Sequence, residues 1–312
     1  MRILIIGIGS VGGFLGFNLV KAGQNVSFLV REQRKSEIDE KGITLIHNGR
    51  TENVRVHTLS SITENDRFDM VFISVRNGDL ESLKESLIML RNTGSRFISL
   101  LNGIRHIDCL IPLVGLNNLI GGSASMETRR DDNGNIIFIS QEPTITIGSE
   151  SPNNVAIIRE LKLILQKAGF KVIVKETTYQ SVWEKYLFNL ACNMTAVFSS
   201  TVKEIRQNRY ALASVINLVN EAFSLSRKIG VGLGDESKDS AISNFLNMRD
   251  DFKSLMAEDM MNNKNNESDY LFGYLAKLCE NNGKNCPTIN VSYAILELRS
   301  RKASSSQALP RK

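Results

Sequence analysis

A glycine-rich turn directly behind an apolar run opens the chain and constrains the fold more than any other feature. The run is Ile3-Leu4-Ile5-Ile6, a helix is predicted from Gly13, and a second apolar run covers residues 26–30. Strand, glycine loop, helix and strand in this order place a dinucleotide pyrophosphate on a helix N-terminus. We therefore predict a dinucleotide site whose loop consists of Gly7, Ile8, Gly9, Ser10, Val11 and Gly12.

Other interpretations of this stretch are a glycine-rich turn in a different parallel sheet, a secretory signal and a membrane span. Arg2 followed by an uncharged stretch to Val20 resembles the start of a signal. The glycines and Asn18 interrupt that stretch, and no small-residue cleavage pattern follows, which argues against a signal and a membrane span.

The residue at the end of the second strand indicates which dinucleotide binds. An NAD site usually has Asp or Glu there, whereas this chain has Arg31, with Arg34 and Lys35 just beyond. A guanidinium suits a 2′-phosphate, so the sequence favours NADPH. The alternative is an ordinary solvated charge cluster, which the neighbouring Glu32 keeps open.

Strands and helices alternate through the first half of the chain and predict an α/β domain of the doubly wound Rossmann type, residues 1–176. Ligands bind beyond the carboxyl ends of strands in such sheets, so Arg76 and Asn102 are expected at the same crevice as the glycine loop. An Asn48-Gly49 pair predicts a hairpin, and residues 136–140 and 144–148 resemble a second antiparallel pair.

Residues 177–300 show helical periodicity and no convincing strand, which predicts an all-α second domain. Within it, residues 237–261 and 289–298 are each predicted to form one helix. Residues 301–312 are expected to be a flexible tail. The first helix of this second domain carries apolar residues on almost all of its sides. Lys185, Asn189 and Asn193 nevertheless recur at i, i+4 and i+8 and form one polar stripe. A buried polar stripe needs a polar partner, and a substrate would supply one, although solvent or backbone groups would also satisfy it.

Composition excludes several function classes. A net charge of +5 helps to attract an anionic substrate and cofactor, but no basic run is interleaved with aromatic residues, so no nucleic-acid partner is expected. The four cysteines lack CxxC spacing and the three histidines are scattered, so we expect no metal site and a reduced, cytoplasmic setting. No membrane association is expected, and a homodimer is the candidate assembly.

The chain resembles the ketopantoate reductase (2-dehydropantoate 2-reductase) family over nearly its whole length. The motifs that carry the resemblance are Gly7-Ile-Gly-Ser-Val-Gly12, Leu101-Asn102-Gly103, Trp183-Glu-Lys185-Tyr-Leu-Phe-Asn189-Leu-Ala-Cys-Asn193, Asn220-Glu221-Ala222, Glu267-Ser-Asp269-Tyr-Leu-Phe-Gly273 and Pro287-Thr288. The lysine and asparagine stripe followed by Glu-x-Asp-x3-Gly is far more specific than the glycine loop.

The resemblance implies an NADPH-dependent reduction of 2-dehydropantoate to pantoate, a step of pantothenate and coenzyme A biosynthesis. Lys185 would be the general acid. Asn189 and Asn193 would bind the 2-keto acid substrate. The resemblance further implies that the cofactor contacts outside the loop are Arg31, Arg76, Asn102, Thr128 and Glu267.

Two positions depart from the family pattern. Arg76 stands where the family usually has lysine, and Leu255 stands where the family has a substrate-contacting serine. Ser254 would take over that contact only if the register shifts by one residue. These departures keep open a related reductase of another 2-keto acid. A non-catalytic, NADP-binding regulator is a further alternative, although such a protein would not need Lys185.

Overall fold

The structure is a computed structural model that describes residues 1–139, 142–264 and 266–307. The chain forms two compact units, the first comprising residues 1–101 and 106–182 and the second comprising residues 102–105 and the chain from residue 183 onward. The chain passes between the units after residues 101, 105 and 182, and the last of these passages lies inside a helix that begins at Thr178. The predicted domain boundary at 176/177 lies just before that helix and stays a prediction.

The first unit contains the strands and the first five helices. The strands are β1 (Arg2–Ile6), β2 (Asn25–Leu29), β3 (Ile43–His47), β4 (Arg50–Val54), β5 (His57–Leu59), β6 (Met70–Ile73), β7 (Arg96–Ser99), β8 (Leu119–Ser125), β9 (Thr128–Arg130), β10 (Ile136–Phe138), β11 (Thr144–Gly148) and β12 (Lys171–Lys175). The helices are α1 (Ser10–Lys21), α2 (Glu32–Lys41), α3 (Lys84–Asn92), α4 (Arg105–Val114, whose first residue belongs to the second unit) and α5 (Val155–Lys167).

An eight-stranded sheet runs in the order β12-β11-β8-β7-β6-β1-β2-β5 and is parallel except between β8 and β11. Residues 3–6 of β1 are buried, as in strands covered on both faces. The chain places β2 on one side of β1 and β6 on the other. The order therefore reverses at β1, and the carboxyl ends of β1 and β6 form the switch point of the sheet. The predicted doubly wound α/β fold is confirmed.

A smaller sheet has the order β4-β3-β10-β9. Its β3–β4 hairpin turns at Asn48 and Gly49, which both have positive φ angles, so the predicted hairpin is confirmed. The predicted pairing of residues 136–140 with 144–148 is wrong. β10 pairs with β3 and β9, where the Phe138 ring stacks on Phe14 at 4.3 Å, whereas β11 pairs with β8 and β12. Ser140 and Gln141 lie outside the described residues.

The second unit is helical in its described part, as predicted. Its helices are α6 (Thr178–Phe198, which starts in the first unit), α7 (Val202–Gln207), α8 (Arg209–Lys228), α9 (Asp235–Leu246), α10 (Leu255–Met261), α11 (Tyr274–Asn281) and α12 (Pro287–Gln307). Within α6, the side chains of Trp183, Tyr186, Leu187 and Leu190 are at most 1% exposed. The expectation that this helix is buried almost all round therefore holds.

Two helix predictions need correction. The periodic stretch from residue 237 to 261 is not one helix, because the carbonyls of Asp250 and Phe252 accept hydrogen bonds from the first turn of α7 and Ser254 starts a new helix. The last helix does not stop near Leu298 but continues to Gln307, and an ion pair between Arg301 and Glu297 bridges successive turns. Residues 308–312 of the predicted tail lie outside the described residues.

Candidate active site

The glycine loop joins β1 to α1 at the switch point of the sheet. Gly7 has a φ of +97°, and a Cβ there would lie 2.4 Å from the Ser74 carbonyl oxygen at the end of β6. A Cβ on Gly12 would lie 2.4 Å from the Gly7 carbonyl oxygen. Both positions therefore require glycine, one for the backbone turn and one for the close approach of helix and strand.

Gly9 differs from its two neighbours. A Cβ there would have no protein atom nearer than the Ser74 carbonyl oxygen at 4.0 Å, so the protein itself leaves this space open. Gly9 is the N-cap of α1, and Ser10 and Val11 open a helix whose first turn carries no acidic residue. Free N–H groups and the positive end of the helix dipole suit a phosphate. The residues of the loop therefore fit a dinucleotide pyrophosphate.

Arg31 follows β2 and is the N-cap of α2. Its side chain is 79% exposed and forms an ion pair with Asp79 at 2.8 Å. Arg34 and Lys35 are paired with the carboxylates of Glu37 and Asp39. An exposed ion pair contributes about 0–1 kcal/mol, so a bound phosphate would compete readily for the Arg31 guanidinium.

Arg76 and Thr128 lie on different parts of the first unit. Arg76 is exposed at the carboxyl end of β6, and its carbonyl accepts a hydrogen bond from the Asp79 N–H at 3.0 Å. This turn places Asp79 beside Arg31, a partner that sequence reasoning missed. Thr128 is half-buried in β9 opposite Phe138.

The second unit brings together three of the predicted site residues. The Asn102 side-chain oxygen accepts hydrogen bonds from the Lys185 ammonium and the Asn189 amide, each at 3.3 Å. Lys185 and Asn189 lie one turn apart on α6, as their spacing predicted, and Asn102 comes from the short segment after β7. The polar stripe therefore has a polar partner within the protein itself, supplied by a second chain segment.

The Lys185 amine can gain or lose a proton near neutral pH. Burial lowers the pKa of its ammonium to about 8, because removing a charge from water disfavours the charged form. By exposed surface area, Lys185 as a whole is half-buried.

Asn193 and Ser254 use polar atoms within the protein. The Asn193 amide donates to the Asn189 carbonyl one turn earlier, at 2.8 Å, which matches the alternative that backbone groups satisfy the stripe. The Ser254 hydroxyl caps α10 by accepting from the Ala257 N–H at 3.2 Å, and it also accepts from the Thr195 hydroxyl. A substrate contact stays a prediction for both residues.

Glu267 is the first residue of the predicted motif that ends at Gly273. It is half-buried, and its backbone carbonyl accepts hydrogen bonds from the N–H groups of Tyr270 and Leu271. Its proposed contact with a cofactor stays a prediction.

Two sequence profiles match the chain. The profile of ketopantoate reductase PanE/ApbA matches residues 3–151, and the profile of the ketopantoate reductase PanE/ApbA C-terminal domain matches residues 177–300. The chain belongs to the ketopantoate reductase PanE/ApbA family. It is therefore an oxidoreductase, and the resemblance inferred from its motifs is confirmed.

Similar proteins support this assignment over the full length of the chain. The uncharacterized oxidoreductase YkpB of Bacillus subtilis (strain 168) is 27% identical over 96% of this chain and 98% of its own. The 2-dehydropantoate 2-reductase of Pyrococcus abyssi (strain GE5 / Orsay) is 25% identical over 89% of this chain and 90% of its own.

A solved structure shows the same fold. The ternary structure of D-mandelate dehydrogenase with NADH and anilino(oxo)acetate has a TM-score of 0.87 at 19% identity and covers 97% of this chain and 99% of that chain.

Two kinds of feature are absent from the residues that the structure describes. No group of three or more His, Cys, Asp or Glu side chains is arranged to hold a metal ion. No helix in the same residues is both long and apolar enough to cross a membrane.

Proposed function

We propose that this member of the ketopantoate reductase family reduces a 2-keto acid with NADPH, that ketopantoate is the substrate and pantoate the product, and that Lys185 is the general acid. The observation that carries the proposal is the Lys185 ammonium, which is held by the Asn102 side chain and has a pKa of about 8. A lysine of this kind is protonated at neutral pH and can still release its proton.

The first unit would hold the cofactor. The open backbone at Gly9 and the first turn of α1 would bind the pyrophosphate, and Arg31 would bind the 2′-phosphate after exchanging Asp79 for it. When bound, NADPH supplies a hydride to the keto carbon. Arg76 and Thr128 of the first unit would add contacts to the cofactor, and so would Asn102 and Glu267, which belong to the second unit.

The second unit would supply the proton. As the keto carbon is reduced, negative charge develops on its oxygen, and the Lys185 ammonium would stabilise that charge and transfer its proton to it. Asn102 would hold the amine in place, and Asn189 and Asn193 would orient the substrate by hydrogen bonds. Ser254 would contact the substrate only in the shifted register.

Reduction of another 2-keto acid is the second candidate, and Leu255 is the observation that favours it. Its apolar side chain is 65% exposed at the first position of α10. An apolar side chain there would not hydrogen-bond the hydroxyl of ketopantoate. A keto acid without that hydroxyl would therefore lose less binding free energy at this position.

A panel of keto acids distinguishes these candidates. Ketopantoate, 2-ketoisovalerate and pyruvate would each be offered with NADPH, and oxidation of the cofactor would be followed by its absorbance. We expect the highest kcat/KM with ketopantoate. A preference for 2-ketoisovalerate would support the second candidate, and NADPH binding without turnover of any keto acid would leave a non-catalytic regulator. A preference for ketopantoate would place the protein in pantothenate and coenzyme A biosynthesis.

A further inference from the structure

One turn of the second unit departs from α-helical geometry. Asp269–Gly273 forms a π-helical turn that runs directly into α11. Turns of this kind are rare, and they occur frequently at functional sites. The turn follows Glu267, although none of the roles proposed above uses its own residues.

Two tyrosine hydroxyls hold this turn from two different helices. The Tyr186 hydroxyl of α6 donates to the Leu271 carbonyl at 2.5 Å, and the Tyr293 hydroxyl of α12 donates to the Asp269 carboxylate at 3.1 Å. Burial raises the pKa of Tyr186, so its hydroxyl stays protonated and remains a donor. The bond lies in the interior, where an unpaired carbonyl is costly.

The turn also packs against the segment that carries Asn102. Gly103 has a φ of +84°, and a Cβ there would lie 2.7 Å from the Leu271 Cδ2 atom. The Arg105 guanidinium lies 4.7 Å from the centre of the Tyr270 ring. Residues 102–105 are therefore packed directly on the π-helical turn.

These contacts close a circuit that begins and ends on α6. Tyr186 bonds Leu271, Leu271 packs on Gly103, and Gly103 follows Asn102, whose oxygen accepts from Lys185. Lys185 and Tyr186 are adjacent in sequence. The position of the Asn102 oxygen relative to the amine therefore depends on where the π-helical turn is held.

We propose that Tyr186 is a positioning residue, which acts through the π-helical turn and Gly103 to hold the Asn102 oxygen on the Lys185 amine. The inference rests on the proposed function for its catalytic meaning. The positioning of the hydrogen bond between Lys185 and Asn102 can be measured without any substrate.

Competitive acylation of the folded, full-length protein with acetic anhydride over a range of pH tests this proposal. The extent of labelling at Lys185, read by peptide mass spectrometry, reports the pH at which the amine loses its proton. A hydrogen bond to the Asn102 oxygen stabilises the charged form. We therefore expect the pH midpoint of Lys185 labelling to fall by roughly half a pH unit in Tyr186→Phe. We expect kcat for the keto acid to fall roughly tenfold in the same variant.

Tyr179→Phe is the matched control, because it removes a hydroxyl bound to Asp108 in the first unit and leaves the turn untouched. Gly103→Ala disturbs the same circuit from the other side and is expected to lower the midpoint as well, which keeps the test decisive if Tyr186→Phe does not fold. A midpoint that is the same in the wild type and both circuit variants overturns the proposal, and so does an equal fall in Tyr179→Phe. If the midpoint falls as expected but the wild type reduces no keto acid, the proposed function fails and the positioning role stands.

Discussion

At the scale of single residues, Lys185 is the proposed general acid, and its ionisation predicts the pH dependence of the reaction. A general acid must be protonated, and the pKa of this amine is about 8. We expect kcat/KM, which reports the ionisation of the free enzyme, to be level at lower pH and to fall as the pH rises through about 8.

A steady-state pH profile measures this dependence. Lys185→Arg is the matched control, because arginine keeps the charge but does not titrate in this range, so any residual activity should lack the alkaline limb. A wild-type kcat/KM that stays level to about pH 10, near the ordinary pKa of lysine, would contradict the role of Lys185.

Replacement of Arg31 should affect the binding of NADPH and of NADH by different amounts. Because hydrogen bonds to charged groups contribute about 1.5–3 kcal/mol, we expect Arg31→Ala to weaken NADPH binding at least roughly tenfold and NADH binding little. Binding titrations of both cofactors measure the difference.

Asp79→Asn provides the control for Arg31, because it removes the ion pair and keeps the side-chain size. NADPH binding should be unchanged or tighter in that variant. Equal losses of NADPH and NADH in Arg31→Ala would mean that Arg31 does not contact the 2′-phosphate.

At the scale of elements, the structure gives Ser254 a role in starting a helix. Its hydroxyl caps α10 and its N–H donates to the Thr195 hydroxyl at 3.0 Å. Loss of an N-cap typically costs about 0.5–2 kcal/mol. We expect Ser254→Ala to lower the free energy of unfolding by about 1–2 kcal/mol and to leave the KM of the keto acid unchanged.

Chemical denaturation and steady-state kinetics test the role of Ser254. Leu255→Ala is the neighbouring control, since this exposed side chain should change stability by at most about 0.5 kcal/mol. A several-fold rise in KM with unchanged stability in Ser254→Ala would favour a substrate contact instead.

The elements also show where sequence periodicity succeeds and where it fails. The apolar run at residues 26–30 predicted a second strand, and β2 lies at that place. The pairing of β10 could not be predicted, because two adjacent apolar runs resemble a hairpin whether or not they join the same sheet. The break before α10 was missed for a similar reason, since hydrogen bonds to α7, distant in sequence, end the helix.

For the whole molecule, the sequence predicted the α/β and helical parts of the fold, but not the contacts between segments that lie far apart in sequence. Glycine spacing and Arg31 indicated the dinucleotide site, and the i, i+4 spacing put Lys185 and Asn189 on one stripe. Their shared partner Asn102 and the π-helical turn depend on contacts across more than eighty residues of sequence, which no local pattern reports. Asp269 and Gly273, noticed as part of a motif, contact Tyr293 and have a structural explanation.

The measurement that tests the central claim most directly is the comparison of Lys185→Ala with the wild type for both NADPH binding and keto acid turnover. Because Lys185 is the proposed proton donor and is not among the proposed cofactor contacts, most of which lie in the first unit, NADPH should bind with nearly the wild-type dissociation constant. Turnover should fall by roughly 10²–10⁴-fold. A Lys185→Ala protein that reduces the keto acid at a rate close to the wild type would contradict the account.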